Sequence, residues 1–443
     1  MSTQEAPAAK IASKVAWRLL PLLMLCYFVA FLDRVNVSFA ALTMNADLGF
    51  DSFVFGLGAG IFFLGYFIFE VPSNLALAKL GARAWIARIM FSWGLVSAAM
   101  AWVWNDTSFY AGRFLLGAAE AGFFPGVVLY LTYWFSAEHR AKMVGLFMAA
   151  VPISGFIGAP LSGWLLGLEG TLGLHGWQWL YILEGLPAMI LAGVVWFGLT
   201  NRPSQAGWLA ASERAWLERT LERERAHLEG LRKFRLGEAL LNGRVLLLAV
   251  LYLGLVTGLY GVTFWLPQIV KGFGGLSNLE VGFIVALPTL AAAIAMVAWT
   301  WHSDKARERP WHVALPAFAG ALGLAASASV SDPVLSTMAL SVALIGIYAA
   351  IATSWALPSA FLTGTAAAGG IALINSIGNL GGFAGPYFMG WIKAATGAYS
   401  IALLIMGAGL ALSGLIALAV RNAVANERPP AGIAREEPSG QLI

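Results

Sequence analysis

The chain has 443 residues, of which 59% are hydrophobic and only 11% are charged, and its formal net charge is +4. About a quarter of the residues in a soluble protein are charged, so this composition excludes a water-exposed surface over most of the chain. The small net charge gives no reason to expect a nucleic-acid partner. Within hydrocarbon only helices and closed barrels satisfy their backbone polar groups, and apolar runs near twenty residues indicate helices.

Twelve apolar runs predict twelve transmembrane helices, which we call spans 1 to 12. The predicted bounds are 17–43, 53–79, 84–104, 108–135, 141–167 and 177–199 for spans 1–6, and 245–270, 279–301, 311–330, 334–362, 367–392 and 399–420 for spans 7–12. The expected fold class is therefore an all-α integral membrane protein. We predict a six-helix half at 1–199, a cytoplasmic linker at 200–244, and a second six-helix half with a short cytoplasmic tail at 245–443.

The linker is polar and rich in Arg and Glu, and it predicts one amphipathic helix. Ser212 is the expected N-cap and Glu213 lies in the first turn. One face of this helix would carry the apolar residues Trp216, Leu217, Leu221 and Leu228.

The distribution of Lys and Arg predicts the orientation of the spans. If both termini are cytoplasmic, 23 of the 27 Lys and Arg residues fall in cytoplasmic segments, whereas only Lys271 and Lys393 fall on the opposite side. Cytoplasmic loops of membrane proteins carry the excess of basic residues. We therefore expect both termini in the cytoplasm.

An internal repeat relates span 5 to span 11. Five residues recur at a constant offset of 227: Gly155, Phe156, Gly158, Gly163 and Trp164 match Gly382, Phe383, Gly385, Gly390 and Trp391. Parallel repeats with the substrate between them are typical of secondary transporters, and glycines permit close approach of helices.

The loop after span 8 reads Ser303-Asp304-Lys305-x-Arg307. With twelve spans and a long central loop, this motif resembles the major facilitator superfamily. The resemblance implies two parallel six-helix halves and a gating loop at Asp304, Lys305 and Arg307. The loop after span 2 departs from the family motif, because Asn74 stands where Gly is usual and Ala78 where Asp is usual.

Four charged residues fall within the predicted spans: Asp33 and Arg34 in span 1, and Arg113 and Glu120 in span 4. A charge at the bilayer centre costs about 2.5–3.5 kcal/mol on the insertion scale, so such residues are functional candidates. Arg113 and Glu120 are about two turns apart and share a helix face, and we expect all four side chains to face a common interior. Protonation of Asp33 and Glu120 would leave two guanidinium groups free to bind a carboxylate. The alternative is a set of structural salt bridges, in which Arg34 would pair with Asp33.

These residues also carry a closer resemblance. Leu32-Asp33-Arg34-Val35-Asn36 and the Arg113-to-Glu120 segment, with Glu70-Val-Pro-Ser-Asn74 and Gly176-Trp177-Gln178-Trp179, are similar to the anion:cation symporter family. That family includes bacterial sugar-acid and tartrate permeases of the inner membrane. The resemblance implies that Arg34 and Arg113 contact the substrate carboxylate and that Asp33 and Glu120 carry the coupled protons.

Other polar residues within the spans are weaker candidates. Tyr66 in span 2 and Tyr260 in span 7 are candidates to hydrogen-bond a substrate hydroxyl, or else a backbone group. Asn375 and Asn379 in span 11 are candidate substrate ligands, or else bridges between helices. We interpret Glu70 and Glu184 as interfacial or loop-tethering groups that lie toward the cytoplasmic ends of their spans.

The sequence thus predicts a monomeric proton-coupled symporter that imports a small hydroxylated organic anion, a tartrate-like dicarboxylate or a sugar acid, by alternating access. A proton-antiport exporter of drugs or metabolites is the main alternative, with a faint exporter pattern at Gly158-Ala-Pro160. An importer of aromatic acids and a membrane sensor for the anion also remain open. No nucleophile–base pair, metal-ligand cluster or phosphate-binding glycine loop occurs, so we expect no catalysis, cofactor or metal.

Overall fold

The computed structural model describes residues 5–229, 242–358 and 364–425 of the chain. Across these residues, eleven helical segments are long and apolar enough to cross a membrane, and the 33-residue helix Gly364–Thr396 is the twelfth. The predicted fold class, all-α with twelve membrane spans, is confirmed. Spans 1–6 comprise Glu5–Val35 with Val37–Leu48, Ser52–Leu80, Ala82–Ala99, Asp106–Glu120 with Phe123–Thr132, Ala137–Met148 with Ala150–Leu165, and Gly176–Gly198. Spans 7–12 comprise Gly243–Lys271, Asn278–Ala306, Pro310–Ser329, Pro333–Ser354, Gly364–Thr396 and Ser400–Ala425.

One span is interrupted beside an intramembrane charge, which the sequence did not predict. Span 1 continues past Asp33 and Arg34, because Asn36 keeps helical backbone angles and the hydrogen bonds from Asn36 to Leu32 and from Ala40 to Asn36. Span 4 breaks after Glu120, where Gly122 has a φ of 84° that favours glycine. Discontinuous spans of this kind line the binding sites of many transporters.

The first six spans contact the last six through small residues. Span 2 packs on span 11, where a Cβ added at Gly56 would lie 2.6 Å from the carbonyl oxygen of Pro386. Span 5 packs on span 8, where Gly163 meets the backbone of Asn278 and Gly282 meets that of Ala159. These contacts occupy the span ends that lie away from the linker, and several of them use the repeated glycines.

The linker contains the predicted amphipathic helix, over Ala211–Glu229. Ser212 lies inside this helix and is not its N-cap, because the helix begins one residue earlier and Glu213 accepts a hydrogen bond from the Ala210 amide at 2.8 Å. Hydrogen bonds from Lys14 and from that amide hold the pKa of Glu213 below its usual range.

The apolar face of this linker helix packs against the span bundle. Leu217 is buried, and Trp216 and Leu221 are half-buried against the core. Ion pairs of Lys14 with Glu213 and of Arg140 with Glu224 attach the helix to spans 1 and 5. The side chain of Leu228 lies outside the described residues.

Candidate functional site

Arg34 of span 1 forms a buried ion pair with Glu120 of span 4. Its Nε donates to Glu120 Oε1 at 3.1 Å, and its Nη2 donates to the same oxygen. Its Nη1 donates to the Tyr260 hydroxyl of span 7 at 3.3 Å. The guanidinium also lies over the Tyr66 ring of span 2, 5.3 Å from its centroid. Arg34 therefore joins both sets of six spans.

Arg113 lies beside this pair but has no acidic partner among the described residues. Its Nε and Nη2 donate to the carbonyl oxygens of Gly58 and Ala59 at 3.3 and 3.4 Å, which are long hydrogen bonds. The Arg113 and Arg34 guanidinium carbons lie 5.0 and 5.5 Å from the centroid of the Phe62 ring. One aromatic ring therefore contacts both guanidinium groups.

Two polar atoms of this cluster have no partner in the described parts of the chain. They are Arg113 Nη1 and Glu120 Oε2, and both are buried. A guanidinium has five donors, and a buried unpaired donor costs about 1–3 kcal/mol. Arg113 Nη1 is therefore a spare donor for a carboxylate, whereas Glu120 Oε2 is an acceptor that could take up a proton.

Asp33, next to Arg34 in sequence, points into a different environment. Its carboxyl accepts hydrogen bonds from Trp93 Nε1 at 2.9 Å, Ser97 Oγ at 2.7 Å and Asn36 Nδ2 at 3.4 Å. These partners are neutral, and the side chain is fully buried. The expectation that Arg34 could be the static partner of Asp33 is wrong, because the Arg34 guanidinium turns to Glu120.

Glu184 is also buried, with 1% of its surface exposed. It lies within span 6 and accepts a hydrogen bond from Ser162 of span 5 at 2.7 Å. The interpretation of Glu184 as an interfacial group is therefore wrong. Glu70 is the 19th of the 29 residues of span 2 and is also buried, at 9% exposed, so the interfacial interpretation does not fit it either.

Of the weaker candidates, the structure brings Tyr66 and Tyr260 to Arg34. Asn375 and Asn379 of span 11 are half-buried, and we find no hydrogen bond between either side chain and another described residue. The structure therefore does not join this pair to the Arg34 cluster.

The predicted gating loop forms the end of span 8. Asp304 pairs at 2.6 Å with Arg309, a residue outside the motif, and Lys305 lies over the Trp301 ring. Arg307 ends the helix in the left-handed region, with a φ of 50°. Asp304 and Lys305 of the motif are therefore bound by neighbouring residues of the same segment, Arg309 and Trp301.

Sequence reasoning missed the neutral partners of Asp33 and the ring of Phe62. Trp93 and Ser97 are four residues apart and so share one face of span 3, and this pairing of polar groups in an apolar helix was an available signal. Phe62 gave no signal, because aromatic residues are frequent in spans 2 and 4.

Comparison with known proteins gives consistent relatives. The sequence profile of the Major Facilitator Superfamily matches residues 23–386. A protein of Agrobacterium vitis named "Putative tartrate transporter" is 52% identical over 410 residues, which cover 93% of this chain and 91% of that protein. A "Quinolone resistance transporter" of Acinetobacter baumannii is 42% identical over 406 residues, covering 91% and 94% of the two chains.

Solved structures share the same fold. An inward-facing, occupied bacterial homologue of the human lysosomal transporter Spinster superposes with a TM-score of 0.77, at 15% identity, over 93% of this chain and 98% of the other. This similarity bears on the fold alone. From the profile, the relatives and the twelve spans, we conclude that the chain belongs to the major facilitator superfamily and is a multi-pass membrane transporter.

Proposed function

We propose that this transporter is a proton-coupled symporter of a small hydroxylated organic anion. The observation that carries the proposal is the buried Arg34–Glu120 ion pair, with the uncompensated Arg113 beside it. Two arginines and one glutamate within hydrocarbon are expensive to maintain unless they bind a ligand. The excess of one positive charge in this cluster favours an anion.

Coupling follows from competition for Arg34. A proton on Glu120 would abolish its charge and weaken the ion pair, which would leave Arg34 available to a substrate carboxylate. Arg113 would supply a second guanidinium, and Arg is suited to bidentate binding of carboxylates. Proton and anion would thus each favour the binding of the other, and such coupling is reciprocal.

Movement between access states would involve the Arg34–Tyr260 hydrogen bond. This bond joins the predicted halves 1–199 and 245–443, so a substrate that takes over the Arg34 donors would alter a contact between them. We propose that the two halves rotate relative to each other about this site during transport. We also propose that the transporter lies in the inner membrane, with both termini in the cytoplasm. We further propose that the transporter acts as a monomer.

The substrate class rests on the cluster and on the relatives. A hydroxylated dicarboxylate or sugar acid would place a carboxylate on the arginines and its hydroxyls against Tyr66, Tyr260 or the span 11 asparagines Asn375 and Asn379. The named tartrate relative, at 52% identity, supports the tartrate-like branch of this class.

Uptake into proteoliposomes tests the proposal. An inward proton gradient should drive accumulation of one labelled acid from a panel of tartrate, galactonate, glucarate and phthalate. A protonophore and the Glu120→Gln substitution should each abolish that accumulation. If no acid accumulates under the gradient, the proposal is wrong.

Proton-antiport export is the second candidate, and the relative named for quinolone resistance favours it. The same vesicles discriminate the two. Loss of a preloaded quinolone in exchange for protons, without uptake of any acid, would establish export and assign the intramembrane arginines a structural role.

A further inference from the structure

Glu184 is a buried carboxyl that the proposed anion site does not use. Its Oε1 accepts the hydrogen bond from Ser162, whereas its Oε2 is buried and has no partner among the described residues. Nor does any described Lys or Arg form an ion pair with it. Removing a charge from water without a partner costs several kcal/mol, so a permanently ionised Glu184 is unfavourable here.

Glu184 and Asp33 lie on two spans that pack together. Span 6 contacts span 1, and Asp33, Asn36 and Glu184 are all buried. The Asn36 side chain donates to Asp33 Oδ1 at 3.4 Å. The two carboxyls are close enough to repel each other when both are ionised. We call Asp33, Asn36, Glu184 and Ser162 the carboxyl chain.

Among the described residues, no Lys or Arg forms a hydrogen bond or an ion pair with the carboxyl chain. Span 3 contributes Trp93 and Ser97, span 5 contributes Ser162, and span 6 contributes the phenol of Tyr181 one turn before Glu184. Arg113 of span 4 acts on Tyr181, and Glu120 acts on Asp33 as a further negative charge. No described positive charge therefore compensates an ionised Glu184 by direct contact.

The hydrogen-bond pattern indicates where a proton fits. Asn36 Oδ1 and Glu184 Oε2 are both acceptors without a partner in the described residues. A proton on Glu184 converts one of these acceptors into a donor. We propose that Glu184 is a proton-binding residue of the transport cycle, coupled to Asp33 by repulsion between the two carboxylates. This inference rests on the proposed proton symport.

A cavity adjoins the carboxyl chain at Ser162. It has a volume of ≈ 40 Å³ and lies among spans 1, 5, 7, 8 and 10, which is enough space for water where polar groups line it. Ser162, whose hydroxyl donates to Glu184, is one of its lining residues. We expect protons to reach Glu184 from this cavity rather than past the Arg34–Glu120 pair. Its hydroxyl-bearing lining residues are Ser38, Ser154, Ser162, Thr263, Thr289 and Tyr348.

The test compares two modes of transport by the full chain in proteoliposomes. Gradient-driven accumulation requires protons to bind and leave, whereas exchange of internal for external labelled acid needs no net proton movement. Glu184→Gln should reduce accumulation by a factor within the about 5–150-fold range of coupling between sites, and it should leave exchange and its KM near wild type. Glu184→Asp should recover part of the accumulation.

Glu169→Gln is the control, because it removes a glutamate of the same half that lies outside both the carboxyl chain and the anion site and that, among the described residues, forms hydrogen bonds only with His175 and Gly176. It should leave both modes unchanged. Equal accumulation by wild type and Glu184→Gln would overturn the inference, and so would a parallel loss of accumulation and exchange, which would indicate a structural role.

A second measurement separates this inference from the proposed function. Infrared difference spectra between acidic and alkaline pH, recorded on the protein in lipid, report the C=O stretch of protonated carboxyls. One C=O band that changes with pH in wild type should be absent from Glu184→Gln. The bands of the other carboxyls should remain, whether or not any acid is transported. An unchanged spectrum overturns the role of Glu184, whereas failed uptake by wild type overturns only the symport proposal.

Discussion

Two adjacent residues of span 1, Asp33 and Arg34, lie in contrasting environments. Arg34 is bound by an opposite charge, Glu120, and by a hydroxyl from span 7. Asp33 is bound by the neutral donors of Trp93, Ser97 and Asn36, all within the first half. Successive residues on a helix point about 100° apart, so a single Asp-Arg pair serves two separate sites.

The contrast separates the anion site, where Glu120 competes with the substrate for Arg34, from a carboxyl that binds no anion. A buried ion pair is sensitive to the removal of either partner, because the remaining charge is left uncompensated. A buried carboxyl among neutral donors is compensated when it holds a proton. We therefore expect loss of Arg34 to abolish binding of the anion, and substitutions on the Asp33 side to uncouple transport from the proton gradient without loss of binding.

Arg34→Gln should have the largest effect. It leaves the buried Glu120 carboxylate unpaired, at a cost of about 3–5 kcal/mol, and removes a donor to the substrate. Each 1.4 kcal/mol changes an equilibrium constant about tenfold, so a loss of about 3 kcal/mol or more corresponds to roughly two orders of magnitude. Both accumulation and exchange of labelled acid should fall by at least that factor.

A double variant separates stability from binding at this site. Arg34→Gln combined with Glu120→Gln removes both charges and should recover most of the apparent melting temperature lost in Arg34→Gln alone. Exchange should remain absent. Recovery of exchange in the double variant would contradict the assignment of Arg34 to the anion site.

Arg113→Lys should have a smaller effect, confined to affinity. Lys retains the positive charge but lacks the planar fork and stacks less well on Phe62. Loss of one charge-assisted hydrogen bond of about 1.5–3 kcal/mol predicts a KM for exchange about 10-fold to 100-fold higher. Substrate-dependence curves measure it, and an unchanged KM would place Arg113 outside the binding site.

Trp93→Phe tests the Asp33 side with a conservative change. It keeps the aromatic contact with Phe123 but removes the indole donor to Asp33. Loss of that bond, worth about 0.5–1.5 kcal/mol net because Ser97 and Asn36 still donate to Asp33, should weaken gradient-driven accumulation several-fold and leave exchange intact. Equal losses in both modes would show that the two sides of span 1 are not separable.

The sequence was sufficient for the fold and for the identity of the intramembrane charges. Apolar runs determined the twelve spans because hydrocarbon permits so few backbone structures. The cost of buried charge singled out Asp33, Arg34, Arg113 and Glu120 without any knowledge of their contacts.

The pairing of these charges could not be predicted in the same way. Which carboxyl meets Arg34 depends on helix rotation and on the interruption of span 4 at Gly122, which follow from tertiary packing. Glu184 was misplaced because span 6 was considered alone, whereas its burial results from contact with Ser162 of span 5.

Glu169, a carboxylate outside the spans, should show the smallest effect on stability when it is replaced. The Gly176 amide and the His175 ring hold the pKa of Glu169 below its usual range. The resulting stability is therefore present above the unfolded pKa and is lost as pH falls through the lower folded pKa. Glu169→Gln should lower the apparent melting temperature slightly at neutral pH, by the equivalent of at most about 1 kcal/mol, because exposed pairs are screened. In acid below both pKa values, wild type and variant should melt alike. A fall in melting temperature at neutral pH as large as that of Arg34→Gln would contradict this expectation. It would mean that burial does not explain why the Glu120 contact stabilises the protein more than the Glu169 contact.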